Sequence, residues 1–158
     1  MGGWLVTVDI KDILDRKLIN LELKATNKNE VIEALAKMLS EKGTISDLET
    51  FIKDVYLREG EGITGLGNNV AIPHGKSEGV RIPSVAIGRT ENYIDWESYD
   101  DKPVRLFFLF AVPDGNEGAE DHLRLLSQVA AKLADDDILT RLKEIRNEDS
   151  FINILLSS

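Results

Sequence analysis

"VRLFFLFAVP", Val104 to Pro113, is a nearly continuous apolar run. A strand whose side chains point alternately to two faces needs such a run only when both faces are covered, so the stretch reads as a central strand of a layered domain. It is far shorter than the ~20 residues that a membrane-spanning helix requires. Working outward, "NVAIP" and "SVAIGRT" read as further strands, the second bounded by Pro83, and "LINLEL" near the front as another.

Helical periodicity fills the intervals. Asn27 and Glu30 stand at cap and third-position spacing ahead of Val31, Ile32, Leu35, Met38 and Leu39, and Gly43 closes that helix. Ser46 and Glu49 form a capping box for a second, striped by Leu48, Phe51, Ile52 and Val55 and ended at Gly60, which puts Arg58 near its C-terminus. After the central strand, Leu123, Leu126, Val129, Ala130 and Leu133 repeat at helical spacing, with His122 in the first turn. Asp136 or Asp137 caps a further helix, and "EDSFINILL" makes a last short one. Strands interleaved with helices predict an α/β fold, a mixed β-sheet flanked by helices on both faces, in one layered domain over residues 1–158, with no structural weight on Met1–Gly3.

The 158 residues carry 28 acidic against 19 basic side chains, a formal charge of −9 that disfavours nucleic acid and anionic membranes as partners. No cysteine occurs, which excludes disulfides, thiolate metal sites and cysteine nucleophiles and fits a reducing, cytoplasmic setting. The opening residues lack the basic and apolar regions of a signal peptide.

"GITGLGNNVAIPHGK", Gly62 to Lys76, places one of only two histidines behind dense turn chemistry. Gly65 and Gly67 permit unusual backbone angles and Asn68 and Asn69 tolerate the left-handed region, so several N–H groups gather in a sharp turn. Pro73 fixes the approach to His74. A neutral imidazole held this way is a nucleophile near pH 7 and accepts a phosphoryl group on one ring nitrogen if the other donates to a fixed acceptor. Thr64, Arg58, Lys76, the loop N–H groups and the start of the His122 helix would supply donors to the phosphoryl oxygens. Each of these residues also has an ordinary reading as a loop histidine, a first-turn helix residue, a surface charge or a turn hydroxyl. Other chemistries fit less well. "GITGLG" matches neither the dinucleotide fingerprint nor a P-loop; Asp135, Asp136 and Asp137 read as a helix start, and two distant histidines make a poor zinc site, so no metal or cofactor is expected. Trp96 reads as a hydrophobic plug beneath a loop.

"LREGEGITGLGNNVAIPHGK", "IDWESYDDKPVRLFFLFAVP" and "HLRLLSQVAAKLADDD" together resemble the enzyme IIA domain of the bacterial phosphoenolpyruvate-dependent sugar phosphotransferase system, fructose and mannitol type, in particular through Thr-Gly-x-Gly-x-x-x-Ala-x-Pro-His. The resemblance spans nearly the whole chain. It implies the fold shared by phosphotransferase-system and anion-transport proteins. It further implies that His74 takes a phosphoryl group from phospho-HPr and passes it to a cysteine of enzyme IIB, with membrane enzyme IIC involved only indirectly. His122 would stabilise that group, and Arg58 matches the family's "Arg-Glu" arginine. Here Ile63 replaces the usual serine before Thr64, Asn69 replaces a common glycine, and the acidic stretch before His122 is longer than usual. "DWES" and "KPVRL" favour a fructose-type member; the alternatives are the nitrogen-related regulatory enzyme IIA and a sensor domain of a transcriptional antiterminator.

Overall fold

The computed structural model describes residues 9–115 and 119–157, with backbone alone for 119–123. The elements in chain order are α1 (Ile10–Ile13), β1 (Ile19–Asn20), α2 (Lys28–Lys42), α3 (Leu48–Glu59), β2 (Gly65–Gly67), β3 (Val70–Ala71), β4 (His74–Ser77), β5 (Ser84–Ile94), β6 (Val104–Pro113), α4 (Ala119–Leu133), α5 (Asp136–Glu144) and α6 (Glu148–Leu156). They build the expected mixed sheet with helices on both faces.

The apolar run is the axis of that sheet. β6 pairs antiparallel with β5 on one side and parallel with both β3 and β4 on the other, in the order β1-β5-β6-β3-β2. Its alternation divides the core in two. Phe107, Leu109 and Ala111 join Val31, Leu35, Phe51 and Val55 of α2 and α3, whereas Leu106, Phe108 and Phe110 join Val129 of α4, Leu142 of α5 and Phe151 of α6. Burial on both faces explains why no polar residue interrupts the run between Leu106 and Val112.

Local signals set the helix ends. The Asn27 side chain accepts from the Glu30 N–H, and Gly43 closes α2 in the left-handed conformation at φ 91°. At α3 the cap is Asp47, one residue later than expected, because Ser46 is drawn to Gly79: both its N–H and its hydroxyl reach that carbonyl. Asp135, not Asp136 or Asp137, caps α5, accepting from the N–H groups of Asp137 and Ile138. "LINLEL" yields only a two-residue strand, since the chain turns at Leu21. Conversely, Gly65–Gly67 and His74–Ser77 are strands, although glycine weakens strand propensity; β3 and β6, respectively, supply the pairing that their own side chains do not.

Candidate active site

β3 and β4 lie end to end along one edge of β6, with Ile72 and Pro73 between them. Proline has no N–H to give to the ladder, so the chain breaks there and His74 begins a new strand opposite Phe110. Upstream, β2 and β3 form a hairpin around Asn68 and Asn69, both at positive φ, 56° and 70°. Two consecutive positive φ values are what a tight two-residue hairpin turn demands. Asp100 secures it by accepting from the Asn68 N–H at 2.9 Å. On the other side of His74, Gly75 lets β4 lie against α3: a Cβ there would stand 2.7 Å from Val55 Cγ2.

The half-buried His74 ring is held at both nitrogens. Nδ1 lies 3.1 Å from the carbonyl oxygen of Ile72, and Nε2 lies 3.1 Å from Arg58 Nε, in the last turn of α3. A carbonyl only accepts and a guanidinium only donates, so the proton resides on Nδ1 and Nε2 carries the lone pair. Burial pushes the imidazole pKa down; the Ile72 carbonyl raises it, Arg58 lowers it further, and Glu59 and Glu61 act in the opposite sense, the net shift being downward. The ring is therefore neutral at pH 7 with Nε2 ready to act as a base or nucleophile. Beside it, Arg58 Nη1 is buried without a hydrogen-bond partner. An unpartnered buried cationic donor is a costly feature that an anion bound at this point would remove.

Arg58 lacks a carboxylate because its neighbour Glu59 serves other residues. The Glu59 side chain, 7% exposed, takes Lys28 Nζ at 2.7 Å on one oxygen and the Thr64 hydroxyl at 2.7 Å on the other. Thr64 in turn accepts from the indole N–H of Trp96 at 3.0 Å. Lys28 also meets Glu97 at 3.0 Å and sits 4.8 Å above the Trp96 ring. Burial opposes the Lys28 ammonium, yet hydrogen bonds to Glu59 and Glu97 outweigh it and raise its pKa. The carboxylate is thus neutralised by a lysine from α2, and among the described residues Arg58 enters no ion pair.

The sequence-derived residues are placed as follows. His74 and Arg58 meet directly. Thr64 is buried, and its hydroxyl hydrogen goes here to Glu59, which makes it a brace beside the site. Lys76 is exposed, two residues along β4 and therefore on the same face of the strand as His74. His122 belongs to the first turn of α4, and its side chain lies outside the described residues. Trp96 is the buried plug expected, 5.2 Å from the Phe107 ring, with a polar role added by its indole N–H. Sequence reasoning missed Glu59 and Lys28; the adjacency of Glu59 to Arg58 was the one available signal. Among the described residues no cluster of His, Asp or Glu has the arrangement of a metal site, and no helix is long and apolar enough to cross a membrane.

Residues 12–158 match the family model for the phosphoenolpyruvate-dependent sugar phosphotransferase system, EIIA 2, and the chain belongs to that family; it is a phosphotransfer component of that system. It is 35% identical over 147 residues to the fructose-specific EIIA component of Haloferax volcanii, covering 93% of this chain and 94% of that protein. It is also 31% identical to a nitrogen regulatory protein of Pseudomonas aeruginosa, covering 89% of each. The match to the fructose-specific EIIABC component of Bacillus subtilis, 32% identical, spans only 23% of that longer protein. Among solved structures, nitrogen regulatory protein IIA-Ntr from Neisseria meningitidis superposes with a TM-score of 0.84 at 31% identity, over 92% of this chain and 98% of that one.

Proposed function

We propose that this chain is a single enzyme IIA domain that accepts a phosphoryl group on His74 Nε2 from the phosphohistidine of HPr and hands it to a cysteine of enzyme IIB. The observation that carries this reading is the pairing of a neutral, doubly anchored imidazole with the half-buried Arg58, whose buried Nη1 has no partner. In the transfer the P–N bond of the donor breaks as the bond from phosphorus to Nε2 forms. The Nε2 lone pair is used in that bond, so Arg58 Nε–H leaves the ring and, with Nη1, turns to the phosphoryl oxygens. The proton stays on Nδ1, donated to the Ile72 carbonyl, so that positive charge is spread over the ring. His122, in the first turn of α4, is the second imidazole of the site. Incubation with phosphoenolpyruvate, enzyme I and HPr is expected to label the chain with acid-labile, base-stable phosphate; an unlabelled chain contradicts the reading.

The likeness to the Haloferax volcanii component favours sugar uptake of the fructose type, and the likeness to the Neisseria meningitidis and Pseudomonas aeruginosa proteins favours a regulatory output. We place uptake first, since "DWES", which supplies Trp96 and Ser98 to the hairpin leading to His74, and "KPVRL" resemble the fructose-type members. Transfer from the phosphorylated chain to a fructose-type enzyme IIB decides between them. Transfer to no sugar-specific IIB would favour the regulatory output.

Two outcomes test the geometry. A His74 pKa depressed by burial keeps the ring neutral, and transfer active, in mildly acidic solution, and the protonated, inactive form takes over as pH falls through the depressed value. Ring-proton NMR is expected to place the titration midpoint below the ordinary ~6.5 of histidine, and Arg58→Gln is expected to raise it, because a cation is removed. A wild-type midpoint at or above that value contradicts the account. Thr64→Val strips the Trp96 indole and Glu59 of their shared hydroxyl, with a stability cost of about 1–3 kcal/mol. It is expected to slow transfer roughly tenfold, whereas Thr64→Ser retains both stability and rate; full activity in Thr64→Val would show that the brace is irrelevant.

A further inference from the structure

A groove of about 910 Å³ opens toward the other end of β6, where Arg89 pairs with Leu106, four residues from the Phe110 that faces His74, roughly 13 Å at strand spacing. Five cations line it, Lys24 on one wall and a group of four, Arg89, Arg105, Lys143 and Arg146, on another. Glutamates such as Glu22 and Glu144 line it as well, yet none of the four cations stands within ion-pairing distance of a carboxylate among the described residues. Three are instead fixed by neutral acceptors. Arg89, 7% exposed, donates through Nη1 to the carbonyls of Leu142 and Ile145 at the end of α5, at 3.0 and 2.6 Å. Arg105 Nε reaches the Thr90 carbonyl at 3.1 Å with its guanidinium 5.8 Å from the Tyr93 ring, and Lys143 Nζ reaches Asn69 Oδ1 at 3.1 Å. Arg146 makes no side-chain hydrogen bond or ion pair among the described residues.

These like charges have therefore been gathered and oriented with no carboxylate in direct contact, Glu22 and Asp100 acting on them only at longer range. Burial first, and then Arg105 and Arg146, push the Arg89 pKa down and outweigh the opposing Glu22; burial, Arg105 and Lys102 do the same to Lys143 against Asp100. Neutral anchors stiffen each side chain but do not relieve that repulsion. An anion lodged between them would.

We propose that this groove is a second anion site, separate from the His74 centre, which takes a small phosphate-bearing molecule. Guanidinium forks and an ammonium approaching from different elements suit the tetrahedrally placed oxygens of a phosphate. The volume suits a metabolite-sized ligand. The glutamates along the walls and the net charge of −9 repel an extended polyanion, which sets nucleic acid aside.

Amide NMR titration with inorganic phosphate and with a hexose monophosphate, at ionic strength held constant with chloride, tests the site. Saturable shifts are expected at Arg105 and at Lys143 to Arg146, with tighter binding of the hexose monophosphate. The double variant Arg105→Gln, Arg146→Gln is expected to bind at least tenfold more weakly, while His74→Gln binds as the wild type does. Arg146 is exposed, and glutamine at position 105 keeps an N–H donor where Arg105 Nε meets the Thr90 carbonyl, so an unchanged melting temperature verifies the fold of the variant. Absence of saturable shifts, shifts confined to the Arg58 and His74 region, equal binding by the double variant, or stronger binding of a short oligonucleotide would each overturn the proposal. None of these outcomes depends on whether His74 accepts a phosphoryl group.

Discussion

His74→Gln is expected to accept no measurable phosphoryl group from phospho-HPr, a loss of more than a thousandfold that corresponds to about 4 kcal/mol or more of transition-state stabilisation. Among the described side chains nothing else at the site can replace it. Thr64 donates to a carboxylate, Arg58 is a permanent cation, and Lys76 is an exposed ammonium. Glutamine preserves much of the ring's volume and a donor for the Ile72 carbonyl, so the melting temperature should move by only a few degrees. Labelling of this variant at the wild-type rate would remove His74 from the mechanism.

Arg58→Gln ranks second. It removes the half-buried cation that faces the incoming oxygens and is expected to slow transfer about a hundredfold, near 2.7 kcal/mol, mainly in the maximal rate. The large value follows from the absence of a competing carboxylate: Lys28 neutralises Glu59, so the Arg58 charge is not already committed. For that reason Glu59→Gln is expected to act on Lys28 and Thr64 more than on Arg58. Arg58→Lys should recover less than a tenth of the lost rate, since an ammonium lacks the fork that reaches ring and oxygens together. A Gln variant within threefold of wild type would show that the guanidinium is only a helix-end charge.

The frame of the molecule was readable where the signal was local or periodic. The β6 run announced a strand buried on both faces, Asn27 and Gly43 bounded α2, and the apolar stripes marked α3 to α6. The left-handed capacity of Asn68 and Asn69 was legible for the same reason, being a property of the residues themselves. What escaped was set by distant partners. β2 and β4 are strands because β3 and β6 pair with them, and Asp47 instead of Ser46 caps α3 because Gly79, far along the chain, captures Ser46. At the candidate site the turn chemistry singled out His74, but the circuit from Lys28 through Glu59 and Thr64 to Trp96 joins three separate segments, and no spacing rule reports it. The gathering of Arg89, Arg105, Lys143 and Arg146 was hidden likewise, since strand register and the end of α5 bring them together.

The central claim is that the lone pair on Nε2 of one neutral imidazole receives phosphorus while Nδ1 stays protonated against a carbonyl. Long-range proton–nitrogen correlation on the nitrogen-15-labelled, phosphorylated chain, with phosphorus coupling detected, addresses it directly. The account predicts a phosphorus coupling to Nε2 of His74 and a retained proton on Nδ1. Coupling to Nδ1, or phosphorus on any other residue, would contradict it.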